Sequence, residues 1–365
     1  HFQRGRLAAN NGGLFEINAM TFIADPKHHA EILVFQGAFG DASKEAWLRA
    51  EEGGQVVVRD SHFNVLGTSA VLLFSDPASV RLRSRGKIEI SRCTVQMEAG
   101  SLFSCEDIAG GVFDGGSHLM IHSNDVTIRT ESAGYLVSLS SWPDGYKFTN
   151  SALMSLRANT LTFIRSVGTT PSSFHRASLI NQVFGEVFSF ASGSELDVSE
   201  NFINATNANK AQLIRSESDA FKFSDSSRLV LVSNVMLLNS DHPSAGIPEP
   251  LRISNLDLST LASFIFRNNT ANMTSAGDSS LPFYNIGTTA KASSESSVYF
   301  ADNFLNSSVQ YETFWTALKS WTVDSTVTGT VRCNSQYTAT GSTVDLSTVT
   351  SFPGLEATTH VDYLP

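Results

Sequence analysis

The chain has 365 residues, 41% of them hydrophobic, and 25 basic against 35 acidic side chains give a formal charge of −10. That apolar share supports a continuous core, while the acidic balance and the lack of a basic run argue against nucleic acid or an anionic membrane as the main partner. No apolar stretch approaches the roughly 18 residues of a membrane helix. No signal-peptide pattern is present, so a chain that opens on His1 reads as a processed protein or a segment of a longer one.

Ten segments share one pattern around a single position, occupied in order by Met20, Ser61, Cys93, Asn124, Asn159, Asn201, Asn234, Asn269, Asn303 and Asn334. Apolar residues stand five and three places before this marker and two places after it. They run from Phe15, Ile17 and Phe22 in the first segment to Val298, Phe300 and Leu305 in the ninth, and weaken to Gly329, Val331 and Gln336 in the tenth. This alternation is strand periodicity. Units of 31–42 residues with one such strand each signal a solenoid, propeller or array. A propeller blade needs four comparable strands, and helical repeats are disfavoured by a period of two with β-branched and aromatic filling. The sequence therefore predicts an all-β chain, a right-handed single-chain parallel β-helix of about ten coils over residues 1–337, with 338–365 as a Ser/Thr-rich tail or edge cover.

Along the chain, a second apolar run follows the marker at Ile32–Phe35, Val71–Phe74, Leu136–Val137, Leu213–Ile214 and Leu281–Tyr284, the last interrupted by Pro282. The two longest units carry insertions. Asp41–Glu51 has the composition of a short surface helix, and Ser166–Arg176 reads as a loop. Gln310–Lys319 suggests another short helix against the last coil.

Asn is 22 of 365 residues, yet it fills the last seven markers in succession. Equivalent residues of stacked coils lie about 4.8 Å apart, so an Asn at an inward bend can donate its amide to one neighbour and accept from the other. A buried amide is tolerated when satisfied in this way. Asn124, Asn159, Asn201, Asn234, Asn269, Asn303 and Asn334 are thus expected to form a structural ladder that begins at the fourth coil.

Residues with catalytic potential do not converge. His118 and His122 lie on one strand roughly 13 Å apart, too far to share a metal. Arg59-Asp60-Ser61-His62 places strand neighbours on opposite faces, and Asp241-His242 has the composition of a turn. No metal site or cofactor is expected. Of the three cysteines, Cys93 is read as a buried small hydrophobe. Cys93 and Cys105 share a coil and leave a bridge open, and with Cys333 they do not define a redox compartment.

The outward row four places before the marker reads Glu16, Val57, Glu89, Met120, Ser155, Asp197, Val230, Ile265, Tyr299 and Thr330. Its acids never fall on adjacent coils, which weighs against polysaccharide cleavage by paired carboxylates. Val230, Ile265 and Tyr299 instead make an apolar stripe, a candidate interface unless the tail covers it. Four Asn-X-Ser/Thr sequons, at Asn204, Asn268, Asn272 and Asn306, are candidate N-glycosylation sites. Three of these stand three places after a marker, a solvent-facing register.

The phrases Ser-Glu-Leu-Asp-Val-Ser-Glu-Asn-Phe (194–202), Ser-Arg-Leu-Val-Leu-Val-Ser-Asn (227–234), Phe-Ile-Phe-Arg-Asn-Asn-Thr (264–270) and Ser-Val-Tyr-Phe-Ala-Asp-Asn-Phe (297–304) carry a resemblance. Over about residues 115–310 the chain resembles the repeats of the trypanosomatid dispersed gene family surface proteins. The resemblance implies a glycosylated, membrane-anchored surface protein with an adhesive role, although the membrane spans and cysteine-rich modules of that family are absent from this chain. The expected function is a non-enzymatic structural or adhesive module, extracellular or at the cell surface. Its partner would be another protein, a glycan or a second copy, and the chain has no membrane span of its own. The alternative is a polysaccharide lyase or glycoside hydrolase on the same scaffold.

Overall fold

A computed structural model describes residues 2–3, 6–24, 30–36, 46–65, 70–76, 78–98, 100–107, 111–130, 133–141, 145–165, 176–185, 188–206, 210–216, 221–240, 251–275, 284–286, 290–307, 321–332, 335–338 and 356–358. Every regular element among them is a β-strand, and the strands assemble into four parallel sheets. One coil visits each sheet once. The seventh runs from Phe221–Phe223 in sheet I to Arg228–Val232 in sheet II, Val235–Ser240 in sheet III and Leu251–Ile253 in sheet IV, and Leu256–Leu258 re-enters sheet I. Sheets I to IV contain ten, eleven, ten and nine strands. The chain is a parallel β-solenoid.

Two tight corners fix its cross-section. Between sheets I and II, two successive residues take left-handed backbone, as Asp225 (φ 51°) and Ser226 (φ 64°) do, and Ser227 donates its N–H to the Ser224 carbonyl at 3.1 Å. Between sheets II and III a single left-handed residue precedes the marker, such as Ser233 (φ 58°) or Glu200 (φ 58°). Asn and Asp tolerate this conformation better than most other side chains. Stacking stabilises it further, because each corner N–H bonds to the next coil: Ser226 to Thr260 at 3.0 Å, and Ser233 to Arg267 at 3.0 Å. What the sequence presents as one strand around the marker is therefore two strands meeting at a bend.

The marker column forms the expected ladder. Asn124, Asn159, Asn201, Asn234, Asn269 and Asn303 are buried, and each amide from Asn124 to Asn269 donates to the next side-chain carbonyl at 2.9–3.1 Å. Cys93 starts the handover with its backbone N–H on Asn124 Oδ1, 3.0 Å away. Earlier still, the Ser61 hydroxyl accepts the N–H of Met20 at 3.2 Å. Met20 is 49% exposed, since strands flank the first coil on one side only. Asn334 lies outside the described residues.

The interior is one continuous apolar core. Under sheet I, Phe113, Phe148, Phe190 and Phe223 stack ring on ring, with centroids 4.3, 4.4 and 4.7 Å apart. Neighbouring coils repeat the same side chain at strand spacing, so offset stacking follows from register alone.

Several expectations change. Ala46–Glu51, expected to be helical, is a strand of sheet I in register with Ala78–Arg83; Leu48 and Ala50 point inward and the coil on each side supplies its hydrogen bonds. Tertiary pairing overrides helix propensity there. The loop expected through Arg176 ends sooner, because Arg176 opens the strand Arg176–Gly185. In the tail, Glu356–Thr358 pairs with Thr330–Arg332 and extends sheet II by one strand. Residues 41–45, 166–175, 281–283 and 310–319, and Asp241 and His242, lie outside the described residues.

Candidate functional site

The outer face of sheet II is an open platform. From the first coil to the ninth it is bounded on both sides by the tight corners, so no long connection rises beside it. Three side-chain columns cross it, at six, four and two places before the marker, all in continuous register.

The predicted apolar stripe is in place geometrically: Val230 pairs with Ile265 and Ile265 with Tyr299 on consecutive strands. All three are partly exposed rather than core. Asp197 precedes them in the column and Thr330 follows.

The earlier coils of the same face are charged and internally paired. Glu89 contacts the Lys87 ammonium, accepts the Ser91 hydroxyl at 2.7 Å and lies 3.1 Å from His122 Nε2. Burial pushes the Glu89 carboxyl up, but these partners outweigh it and bring the group down to about 2. His118, set beside Lys87 by register, is shifted down by burial and by that cation. Arg59 pairs with Glu16 on the face, and Arg157 reaches the corner residue Glu200 at 2.6 Å; at the same corner Arg92 pairs with Asp60 through two contacts of 2.7 Å.

The column six places before the marker is one the sequence reasoning left unused, and it changes the carboxylate picture. Glu195 stands two residues from Asp197 on the same strand and face, a separation of roughly 6–7 Å along the strand. Burial pushes the Glu195 carboxyl up; the Arg228 guanidinium, 2.6 Å away, offsets this only in part, and Asp197 adds to it. Asp197 accepts the Ser155 hydroxyl at 3.1 Å. Two carboxylates therefore do converge, within one coil rather than across adjacent coils. Reading the −6 column alongside the −4 row would have found them.

The remaining candidates stay apart. Ser61 belongs to the marker column, Asp60 turns to Arg92, and His62 lies on the outer face of sheet III. Cys93 is a free, buried cysteine whose thiol is pushed up to about 11, first by burial. The side chains of Cys105 and Cys333 lie outside the described residues. No group of three or more His, Cys, Asp or Glu side chains suited to a metal occurs among the described residues. No helix among them is long and apolar enough to cross a membrane.

Of the sequons, Asn268 occupies an exposed corner, with its amide donating to the Ser233 hydroxyl at 3.0 Å. Asn204, Asn272 and Asn306 lie on the outer face of sheet III, and Asn272 pairs directly with Asn306.

Fold and platform together define the class, a parallel β-solenoid whose sheet II face is charged in the earlier coils and carries a three-residue apolar stripe in the later ones. Comparisons with family models, with curated proteins and with solved structures find no match.

Proposed function

We propose that this chain is a non-enzymatic structural or adhesive module of an extracellular or cell-surface protein, docking through the platform of sheet II. The supporting observation is the in-register stripe Val230, Ile265 and Tyr299 on a face whose first nine coils are bounded by tight corners among the described residues. Such a face meets a flat partner, protein or second copy, without obstruction, and aromatic and aliphatic side chains supply most of the energy in contacts of this kind. Among the described residues, no segment rises beside this face to form the water-excluding walls that strengthen catalytic electrostatics. Outward sequons and the resemblance to the trypanosomatid surface repeats favour the extracellular setting. The test is the double change Ile265→Ser and Tyr299→Ser. Sedimentation should show weaker self-association or partner binding with an unchanged melting temperature; unchanged association would overturn the reading.

A second reading rests on one observation, the Glu195–Asp197 pair with Ser155 and Arg228 beside it. A carboxyl pushed up by burial, with a second acidic side chain beside it, is the equipment of polysaccharide hydrolysis or elimination. Depolymerisation of an acidic polysaccharide by purified protein, abolished by Glu195→Gln, would replace the adhesive reading with this one.

A further inference from the structure

Sheet I carries a row of cations that the linear sequence disperses. Its central outward column reads Ala8, Arg49, Arg81, Val112, Lys147, Ser189, Lys222, Asp257, Lys291 and Thr322, each in register with the next. The residues on either side point inward: Phe221 and Phe223 flank Lys222, and Ala290 and Ala292 flank Lys291. Lys147, Lys222 and Lys291 are exposed and Arg81 partly so. From the third coil to the ninth, Arg81, Lys147, Lys222 and Lys291 fall on every second coil, about 9.5 Å apart at twice the strand spacing.

This row differs from most cations of sheet II in its pairing. There, Arg59, Lys87, Arg157 and Arg228 each have a carboxylate partner, while the exposed Arg267 has no ion pair within 4 Å among the described residues. Among the described residues, Arg81, Lys147, Lys222 and Lys291 have no ion pair within 4 Å. One acid, Asp257, interrupts the column. In the column beside it, Asp114 and Asp324 are held by local bonds, Asp114 from Thr149 and Asn150 and Asp324 from Thr326 and the Ser294 N–H. That neighbouring column also offers the hydroxyls of Ser224, Ser259 and Ser293 next to the lysines. At Lys291 the face hollows into a cleft of about 390 Å³ lined by Asp257, Ser259, Ser293, Thr322 and Asp324.

We propose that the outer face of sheet I binds a linear acidic polysaccharide along the solenoid axis, its carboxylate or sulfate groups on Arg81, Lys147, Lys222 and Lys291 and its hydroxyls on the flanking Ser and Asp side chains. A polysaccharide charged about once per disaccharide presents its anions at a comparable interval. Duplex nucleic acid, with a charge every ~1.7 Å, is far denser than the row, and the described side chains of this column offer no aromatic ring for a base to stack on. The chain's net charge of −10 does not forbid this, because fields beyond about 8 Å are screened at physiological salt and the ligand meets the local row. The inference is independent of the docking face on sheet II.

The test is fluorescence anisotropy with labelled hyaluronan and chondroitin sulfate oligosaccharides, carboxylate alone against carboxylate plus sulfate, and with poly-dT, over a range of salt. Binding to at least one polysaccharide should weaken as salt rises. The triple variant Lys147→Gln, Lys222→Gln, Lys291→Gln should bind about tenfold more weakly, at a fraction of a kcal/mol for each exposed contact. The corresponding triple Lys→Arg variant should bind like the parent, as should Arg157→Gln on sheet II. In the unaltered protein, bound polysaccharide should protect Lys147, Lys222 and Lys291 from acetylation, a readout that needs no variant to fold. Absence of binding at low salt, full affinity in the Gln triple variant, acetylation unaffected by ligand, or poly-dT binding as tightly as the polysaccharides would each overturn the proposal.

Discussion

Asn269 Oδ1 accepts two hydrogen bonds from Asn234, one from the side-chain amide at 2.9 Å and one from the backbone N–H at 3.0 Å. Asn234 Nδ2 spends its other hydrogen on the Val198 carbonyl at 2.8 Å. The same three bonds recur at Asn124, Asn159, Asn201 and Asn269, so each rung satisfies both a bend in the backbone and the side chain below it.

Replacing Asn234 by Leu removes the acceptor for the Asn201 amide and backbone N–H and the donor to Val198. Each buried group left unpaired costs about 1–3 kcal/mol. The variant should lose at least about 2–3 kcal/mol in denaturant unfolding, and an unchanged midpoint would refute the ladder's energetic role.

At Gly86 an added Cβ would stand 1.7 Å from the Ala50 carbonyl oxygen, a backbone atom of the preceding coil. Ala152 and Ala262, at the same register position in later coils, already carry a Cβ and are fully buried. Gly86→Ala should therefore cost about 2 kcal/mol or more by forcing two coils apart, whereas Ala152→Gly costs less. Equal thermal shifts for the two would contradict this.

Glu89 has a folded-state pKa of about 2 against an ordinary 4.5. A depressed carboxylate stabilises the fold above its unfolded pKa, and that stability is lost as the pH falls from about 4.5 towards 2. Glu89→Gln should be less stable than the parent at neutral pH, and the two unfolding curves should converge across that interval. Glu195 is shifted the other way, so Glu195→Gln should leave stability at neutral pH unchanged or raised. Parallel curves for Glu89→Gln at every pH would rule out the linkage.

Asn272 and Asn306 project from adjacent strands about 4.8 Å apart, too close for two branched glycans. In secreted material carrying Asn204→Gln and Asn268→Gln, intact-mass spectrometry should show at most one glycan per chain. A doubly glycosylated species would show that sheet III is splayed at that edge.

Cys93, with its thiol raised to about 11 and its surface buried, should resist alkylation in the folded protein and react only on unfolding. Mass spectrometry after iodoacetamide treatment with and without denaturant checks this.

The sequence by itself determined the repeat, its parallel stacking and the Asn ladder, because each is a one-dimensional regularity. A fixed offset from the marker becomes a fixed place on the coil, so Leu229, Phe264 and Val298 were legible as core before any fold was known. The short segment from sheet I through sheet III keeps this constancy: Lys147, Lys222 and Lys291 each stand twelve places before their markers, Asn159, Asn234 and Asn303. The row was thus present in the alignment of repeats. It stayed hidden because its cations lie some 70 residues apart and the chain as a whole is acidic. Tertiary structure alone decided the rest. Whether Ala46–Glu51 is helix or strand depended on neighbours that supply hydrogen bonds, and no local propensity contains those. That Arg228 reaches Glu195 and not Asp197, and that the lysines of sheet I go unpaired where Arg59, Lys87, Arg157 and Arg228 of sheet II do not, depends on which side chains the coil brings within a few ångströms. Coulomb and desolvation energies act through those distances in space, and sequence separation does not fix them.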